Sequence, residues 1–235
     1  MVKYALTLLC ATASAHYAFP TTTFNGVTSQ NWQYIRQTEH GGLTDNTNGP
    51  ADMNGVQGAC FQGSVKGAPE VLTVNAGSQI SFNANNNMGH VGPLMWFMAR
   101  VPDGSDVKTW DPAGKQVWFK ISQSGMKAGS TWPDFTSGGT VQTTTIPKAV
   151  PNGNYLLRFE QLALHVANQP QSYIACAQVK ITNGGSGNPS PLVTFPGQYK
   201  STDQSVYGNI YNYGGAYSYP ALSVWTSTIV AKFAA

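Results

Sequence analysis

A period-two alternation of apolar and polar residues, repeated in several short stretches, is the feature that most limits how this chain can fold. Ile80 and Phe82 alternate with Ser81 and Asn83, directly after an Asn-Ala-Gly turn at positions 75–77. Successive side chains of a β-strand point to opposite faces, so this pattern predicts a strand with one face on a core. Helical periodicity is nearly absent from the rest of the chain.

Two further stretches show the same alternation. Their predicted core faces carry aromatic and aliphatic side chains: Val117, Phe119 and Ile121 in one, Tyr155, Leu157 and Phe159 in the other. Their opposite faces carry charged residues: Lys120, Arg158 and Glu160. The run from Leu94 to Ala99 is apolar throughout, which is typical of a strand covered on both sides. Gly, Pro and Asn turns separate these stretches, so we predict an all-β fold, a two-sheet immunoglobulin/fibronectin-like β-sandwich with long loops.

Composition agrees with a turn-rich β protein. Of the 235 residues only 10% are charged, while Gly (25) and Pro (14) are plentiful. Helices use charged residues on their exposed face, so a low charge content disfavours a helical fold. The formal net charge is +3 and the basic residues form no run. Nucleic-acid binding therefore has no electrostatic support.

The first 15 residues have the organisation of a secretory signal. Lys3 is the positive start, residues 5–11 are a short apolar core, and Ala13-Ser14-Ala15 is a small-residue cleavage site. The apolar stretch is too short to span a bilayer. We predict a signal peptide at 1–15 and a single domain at 16–235, secreted and extracellular, with no membrane partner and a monomeric state.

Two cysteines remain once a signal containing Cys10 is removed. Cys60 and Cys176 form an even pair, and the extracellular space is oxidising, so we predict one disulfide between them. A loop of more than a hundred residues would be closed by this bond, worth about 4–5 kcal/mol in the chain-entropy treatment.

Cleavage after Ala15 would make His16 the first residue of the mature chain. A terminal histidine carries a free α-amino nitrogen and an imidazole, and these two nitrogens can chelate one metal ion. A second imidazole would complete a plane of three nitrogens, which suits tetragonal Cu(II). Zinc usually takes a fourth, tetrahedral ligand such as Cys or a carboxylate, and both cysteines are already assigned.

His90 is the candidate partner for His16. It lies in a glycine-flanked segment, Asn87-Met88-Gly89-His90-Val91-Gly92-Pro93, between two predicted strands. Loops held by rigid strands are favoured places for ligands. The alternative is a turn histidine that faces water.

A third segment carries His165 and, after it, Gln171 and Tyr173. In an extended strand residues two apart share a face, so Gln171 and Tyr173 would point the same way. The phenol oxygen of Tyr173 would suit the weakly held axial position of Cu(II). A buried tyrosine with a satisfied hydroxyl is the alternative.

These motifs together resemble those of the fungal lytic polysaccharide monooxygenases of auxiliary activity family 9, formerly glycoside hydrolase family 61, the group active on cellulose. The resemblance extends over nearly all of residues 16 to about 220. The matching segments are the histidine after the signal, Gly89-His90-Val91-Gly92-Pro93, Ala163-Leu164-His165, Gln171-Ser172-Tyr173, residues 117–121, residues 153–158 and residues 195–200.

The resemblance implies a role for each matched residue. His16 and His90 would be the copper ligands, one copper per molecule, with Tyr173 as a distant axial group. Gln171 and His165 would act on the reacting oxygen species from outside the metal's ligands. Tyr217 falls where family members carry a tyrosine that stacks on substrate, and Cys60 and Cys176 match the family's disulfide.

Two segments depart from the family pattern. Residues 51–60 differ from the usual Asp-x-x-Ser-x-x-x-x-Cys, and Pro220-Ala221-Leu222 replaces Pro-Gly-Pro. Neither change touches the predicted ligands. His40 matches no ligand position, and we expect it on the surface. We expect an exposed aromatic loop from Tyr207 to Tyr219, a segment that contains five tyrosines with glycines between them.

The activity implied is oxidative cleavage of β-1,4-glucan chains at C1, less surely C4. It would need an external electron donor and O₂ or H₂O₂. Cellulose, crystalline or amorphous, would be the substrate, with hemicellulose as a further one. The rival classes are a non-catalytic carbohydrate-binding protein and a secreted copper-binding protein. A glycoside hydrolase is disfavoured because no pair among the ten acidic residues stands out as acid and nucleophile.

Overall fold

Two packed β-sheets form the molecule in a computed structural model that describes residues 16–39, 49–136 and 138–226. The predicted signal at 1–15, His40 and residues 227–235 lie outside the described residues. The strands are β1 (Thr21–Phe24), β2 (Val27–Thr28), β3 (Leu72–Asn75), β4 (Gln79–Asn83), β5 (Leu94–Arg100), β6 (Gln116–Ser124), β7 (Val141–Thr145), β8 (Gly153–Ala163), β9 (Gln171–Thr182) and β10 (Val193–Thr194). The helical segments are α1 (Gln57–Cys60), α2 (Gln204–Tyr207) and a 3-10 turn at Ile210–Asn212.

The smaller sheet has the order β2-β1-β4-β7, and the larger has the order β10-β6-β5-β8-β9-β3. All neighbours are antiparallel except β3, which runs parallel to β9. Predominantly antiparallel pairing in two facing sheets is the architecture of a β-sandwich. The predicted fold class is therefore confirmed.

The space between the sheets is the main core. It contains the side chains predicted to face it, among them Ile80, Phe82, Phe119, Ile121, Tyr155, Leu157 and Phe159. In β5, Trp96 and Met98 face this core, whereas Met95 and Phe97 belong to a second cluster on the other face of the larger sheet. The prediction that residues 94–99 are covered on both sides is confirmed.

The outer face of the larger sheet is covered by loops, so its charged residues are buried. Lys120, Arg158 and Glu160 are fully buried, and burial lowers the pKa of Lys120 to about 8. Arg158 donates to Glu160 at 2.7 Å, and Tyr199 donates to the same carboxylate at 2.6 Å. Period-two alternation distinguished the two faces correctly, but the second face is a polar core and not a solvated surface.

The predicted disulfide is present and attaches the covering loops to this face. Cys60 at the end of α1 is bonded to Cys176 in β9, and their Cα atoms lie 5.3 Å apart. Next to the bond, Arg158 donates to the carbonyl oxygens of Gly58 and Ala59 at 2.9 Å each. In the described part of the chain, no helix is long and apolar enough to cross a membrane.

Candidate functional site

Three histidines and one tyrosine meet at one end of the sandwich. His16 precedes β1, His90 lies between β4 and β5, His165 follows β8, and Tyr173 lies in β9. The ring centroids of His16 and His90 are 6.3 Å apart, and those of His90 and His165 are 3.8 Å apart. Tyr173 lies 6.3 Å from His16 and 5.8 Å from His90. The structure thus brings together residues from opposite ends of the domain's sequence.

The loop that carries His90 is paired with the end of β8. The amide of Leu164 donates to the carbonyl of Val91 at 2.8 Å, and that of Leu162 donates to Pro93 at 3.0 Å. Since His165 directly follows this stretch, the pairing places His90 and His165 side by side.

Gly92 allows this close approach. Its φ is +152°, and a Cβ built there would lie 1.9 Å from the carbonyl oxygen of Leu162. A contact below 3 Å with backbone cannot be relieved by a side-chain movement, so only glycine fits. Gly89, on the other side of His90, would meet nothing within 4 Å.

The segment that begins with His16 is fixed to the same region. Ala18 and Asn85 exchange two hydrogen bonds: the Ala18 amide donates to Asn85 Oδ1 at 2.9 Å, and the Asn85 amide donates to the Ala18 carbonyl at 3.0 Å. His16 is therefore held beside the loop of His90 by hydrogen bonds that form two residues further along the chain.

Two residues that the sequence did not single out support the site. Tyr17 stacks on Tyr173, with ring centroids 4.3 Å apart, and its hydroxyl donates to Gln161 Oε1. Gln161 Nε2 in turn donates to the carbonyl oxygen of His90 at 2.5 Å. Gln161 lies directly opposite Tyr173 in the β8–β9 register, which only the folded structure reveals.

Gln171 and Tyr173 share a face of β9, as predicted. The Tyr173 hydroxyl donates to Gln171 Oε1 at 3.0 Å, and the tyrosine is 1% exposed. Burial raises the pKa of Tyr173, so the phenol keeps its proton at any physiological pH. The alternative interpretation of Tyr173, a buried tyrosine with a satisfied hydroxyl, also describes this side chain.

His165 contacts His90 through its ring face. The two imidazoles are nearly parallel, with an interplanar angle of 5°. Burial and the charge of His16 lower the pKa of His165, which favours its neutral form. Its Nδ1 atom is buried and makes no hydrogen bond to any part of the chain that the structure describes.

The structure contradicts the expectation that Tyr217 stacks on substrate. Tyr217 is 8% exposed, its hydroxyl donates to the carbonyl of Ser205 at 2.8 Å, and its ring contacts Phe135 edge-on at 5.0 Å. Its ring face is therefore not available to a ligand. The predicted exposed aromatic loop is correspondingly only partly exposed: within it Tyr211 is 65% exposed.

No group of three or more His, Cys, Asp or Glu side chains within residues 16–39, 49–136 and 138–226 is arranged to hold a metal. A site made of two imidazoles and one amino nitrogen needs only two such side chains. His16 and His90 are the pair that the geometry offers for it.

Comparison with known proteins assigns the family. The family model of Auxiliary Activity family 9 (formerly GH61) matches residues 16–219. The chain is 42% identical to AA9 family lytic polysaccharide monooxygenase H of Malbranchea cinnamomea, covering 94% of this chain and 96% of that protein. It is also 42% identical to monooxygenase A of Thermothelomyces thermophilus, covering 92% and 93%.

A solved structure shares the fold. It is the crystal structure of a cellulose-active polysaccharide monooxygenase from M. thermophila, which superposes with a TM-score of 0.73 at 24% identity and covers 91% of this chain and all of that one. The chain belongs to auxiliary activity family 9, the copper-dependent lytic polysaccharide monooxygenases.

Proposed function

We propose that this chain is a secreted, copper-dependent monooxygenase that cleaves the β-1,4-glucan chains of cellulose by oxidation at C1. It would use an external electron donor and O₂ or H₂O₂. The observation that carries the proposal is the convergence of His16 and His90, with ring centroids 6.3 Å apart, at one end of the sandwich.

The donor set fits copper. Removal of residues 1–15 would free the amino nitrogen of His16, which with the imidazoles of His16 and His90 gives three nitrogen donors. Such a set suits the tetragonal preference of Cu(II), and the buried Nδ1 of His165 lies on an imidazole that stacks directly on His90. Bound copper would supply the one-electron chemistry needed to oxidise a glycosidic carbon, which protein side chains alone do not provide.

The chain's own residues would orient and tune the ligands. The hydrogen bond from Gln161 fixes the backbone carbonyl of His90, and the stack with His165 restricts the orientation of the His90 imidazole. Groups outside the metal's ligands commonly fix ligand orientation in this way. Gln171 accepts the Tyr173 hydroxyl hydrogen and keeps its amide N–H available, so it can donate to an oxygen reactant.

Secretion and processing are part of the proposal. The segment matched by the family begins at His16, which supports cleavage after Ala15. The Cys60–Cys176 disulfide suits an oxidising compartment. Cellulose as the substrate is supported by the resemblance of the sequence motifs to family members active on cellulose. C1 as the oxidised position is supported by the overall likeness of the sequence to members that oxidise C1.

Incubation of the copper-loaded protein with cellulose and ascorbate tests this function. We expect soluble oligosaccharides oxidised at C1, identified by mass spectrometry, and none from the His90→Ala variant. Oxidised products from xyloglucan or xylan but not cellulose would contradict the substrate. Tight copper binding without any oxidised sugar would instead indicate a copper-binding protein, and cellulose binding without copper a carbohydrate-binding one.

A further inference from the structure

Arg36 is a fully buried cation that forms no ion pair with the residues whose positions the structure gives. It follows Ile35, which makes an isolated β-bridge with Ala177 at the edge of β9. The backbone amide of Arg36 donates to the carbonyl of Cys176 at 2.9 Å. Its main chain is therefore fixed beside the Cys60–Cys176 disulfide, with its side chain inside the protein.

Most hydrogen-bond donors of this guanidinium have no partner. Its Nη2 atom donates to the carbonyl oxygens of Val107 and Trp110 at 2.8 Å each. Its Nε and Nη1 atoms are buried and make no hydrogen bond with the described residues. A guanidinium has five N–H donors, of which Nη2 carries two, so three remain. Buried donors are seldom left in this state, which indicates a bound water or ion.

Arg158 shows the arrangement that Arg36 lacks. It is equally buried, and it also donates to two carbonyl oxygens, those of Gly58 and Ala59. In addition, it donates to the carboxylate of Glu160 at 2.7 Å. The charge of Arg158 is therefore compensated inside the protein, whereas Arg36 has carbonyl partners alone.

The carboxylates near Arg36 lie on the solvent side. Burial lowers the pKa of Arg36 to about 10, and the charge of Asp111 offsets this only in part. Asp111 is exposed, and Lys115 Nζ donates to its backbone carbonyl, so solvent and a cation both screen its charge. Glu39, also exposed, accepts the amide hydrogen of Gly63 at 2.7 Å. Because an uncompensated charge is costly to bury, a further negative charge would stabilise Arg36.

A cavity of about 50 Å³ lies beside Arg36. Its lining includes Cys60 at the end of α1, Ser64 in the segment after it, and Asp111. Segments from three distant parts of the chain thus meet around one small space. Since a water occupies about 30 Å³ of liquid, the cavity has room for one or two waters or for one monatomic ion.

We infer that this cavity binds one small monatomic anion, such as chloride. The anion accepts hydrogen bonds from the free N–H donors of Arg36 and from the hydroxyl of Ser64, and it supplies the missing negative charge. A water accepts the same hydrogen bonds but brings no charge. The site is structural and goes beyond the proposed function, since neither His16 nor His90 lines the cavity.

Chloride titration of the copper-loaded protein tests the inference, with methanesulfonate, a larger anion, replacing chloride at constant ionic strength. Chloride at about ten times its dissociation constant should raise the unfolding temperature by about 3–6 °C. Arg36→Gln should abolish this rise, because it removes the charge that attracts the anion. Arg100→Gln is the matched control: Arg100 is a half-exposed arginine paired with Asp103, and its variant should keep the full rise. An equal rise in Arg36→Gln would overturn the inference.

Asp111→Asn tests the same site without changing the buried cation, so the test does not depend on the folding of Arg36→Gln. Its amide oxygen can still accept the hydrogen bond from the Ala113 amide. Loss of the nearby negative charge should tighten chloride binding about threefold. Weaker or unchanged chloride binding in this variant would contradict an anion beside Arg36.

Diffraction from crystals soaked in bromide locates the ion. We expect one anomalous peak in contact with the guanidinium of Arg36. Water in the cavity with no anomalous peak would overturn the inference. A bromide peak without a chloride-dependent unfolding temperature would show binding at crystal concentration only, and would overturn it as well. None of these results depends on oxidised sugar, so the anion site and the proposed function can fail separately.

Discussion

His165 contacts the imidazole of His90 through its own ring face. Its packing role can therefore be distinguished from a chemical role of its ring nitrogens. The stack on His90, at 3.8 Å, is a packing contact that any flat ring can make. The ring nitrogens, in contrast, can exchange a proton with a bound reactant. A lowered pKa keeps one of these nitrogens unprotonated.

We predict that His165→Ala and His165→Phe both retain copper but lose oxidative rate about 10–100-fold, the usual effect of removing a group outside the metal's ligands. The phenylalanine variant restores the stack but not the nitrogens, so its unfolding temperature should be closer to that of the wild type. Copper content and product formation measure the two roles separately. Gln171→Ala should behave like His165→Ala, and loss of copper from either variant would place that residue among the ligands.

At the scale of single residues, the sequence predicts the site residues that belong to local motifs. It does not predict features that depend on packing between distant segments of the chain. The motifs predict one shared site for His16, His90, His165, Gln171 and Tyr173, and these side chains do lie together. The support from Tyr17 and Gln161 depends on strand register, which alternation alone does not specify. The burial of Tyr217 depends on Phe135, in a distant part of the sequence, so no local pattern could distinguish it from Tyr211.

Among the elements, the loop between β4 and β5 has the strictest backbone requirement. Gly92→Ala should destabilise the protein by at least about 2 kcal/mol, because the methyl group would overlap the Leu162 carbonyl and the backbone would be strained. The His90 loop should move with it, so copper affinity should fall as well. Chemical denaturation and copper titration measure both effects.

Gly89→Ala is the control for this substitution, since its methyl group would meet nothing. It should change stability by less than about 0.5 kcal/mol. Equal stability of the two variants would contradict the close approach of Gly92 to Leu162 as the cause.

The buried polar cluster on β8 and β9 makes a prediction about pH. Burial alone would raise the pKa of Glu160, but the charge of Arg158 and hydrogen bonds from Arg158, Ser172 and Tyr199 outweigh it and lower the pKa below its usual value. The carboxylate therefore stabilises the fold above the unfolded-state pKa of about 4.3, and this contribution is lost as pH falls through the folded-state pKa.

Glu160→Gln should remove this part of the acid dependence of the unfolding free energy. It should also destabilise the protein at pH 7 by about 3–5 kcal/mol, because the guanidinium of Arg158 is left buried without its counter-charge. Urea denaturation from about pH 3 to 7 measures both. An unchanged slope at the acid end, from about pH 3 to 5, would show that Glu160 is not the group that titrates.

The sequence predicted which element each of these residues occupies but not what covers it. Alternation assigned Lys120, Arg158 and Glu160 to a common side of two strands, and that is where they lie. Arg158 and Glu160 are covered by α1 and by the segment that carries Tyr199, and Lys120 is covered by the segment that carries Pro220. These segments reach the sheet from distant parts of the chain. Charged residues that alternate with apolar ones in a strand therefore do not show that their face of the sheet is exposed to solvent.

For the molecule as a whole, the disulfide should contribute through the unfolded state. Cys60 and Cys176 are 116 positions apart, so the bond restricts a long loop. Replacing both by alanine should lower the unfolding free energy by about 4–5 kcal/mol, or the Tm by about 10–20 °C. The copper site should be unaffected, since Tyr173 and Cys176 belong to different clusters on opposite faces of the sheet.

Calorimetry of the double variant, with copper binding as a control, checks this. A Tm within about 2 °C of the wild type would indicate that the covering loops hold without the bond.

Overall fold class and disulfide were the parts most readily predicted, because alternation, turn residues and cysteine count are properties of the whole sequence. The packing of Tyr217 against residues 131–135 was not predicted. Tyr217 donates its amide hydrogen to the carbonyl of Thr131 and packs its ring on Phe135, and contacts between segments so far apart in the chain have no signal in sequence spacing.

Copper binding by the amino group of His16 is the claim on which the proposed function depends. A free α-amine, with a pKa of about 7.7–8.0, readily gives up its proton to a metal, whereas an amide nitrogen has its lone pair delocalised into the carbonyl. The direct test is copper affinity and electron paramagnetic resonance of two proteins, one that begins at His16 and one with a single extra residue before it.

We predict nitrogen coupling and tight binding of one Cu(II) by the first protein. The extended protein should have the same unfolding temperature without copper, but more than about 100-fold weaker copper binding, a larger loss than that caused by removing a group outside the ligands. Equal affinity and identical spectra of the two proteins would contradict the central claim.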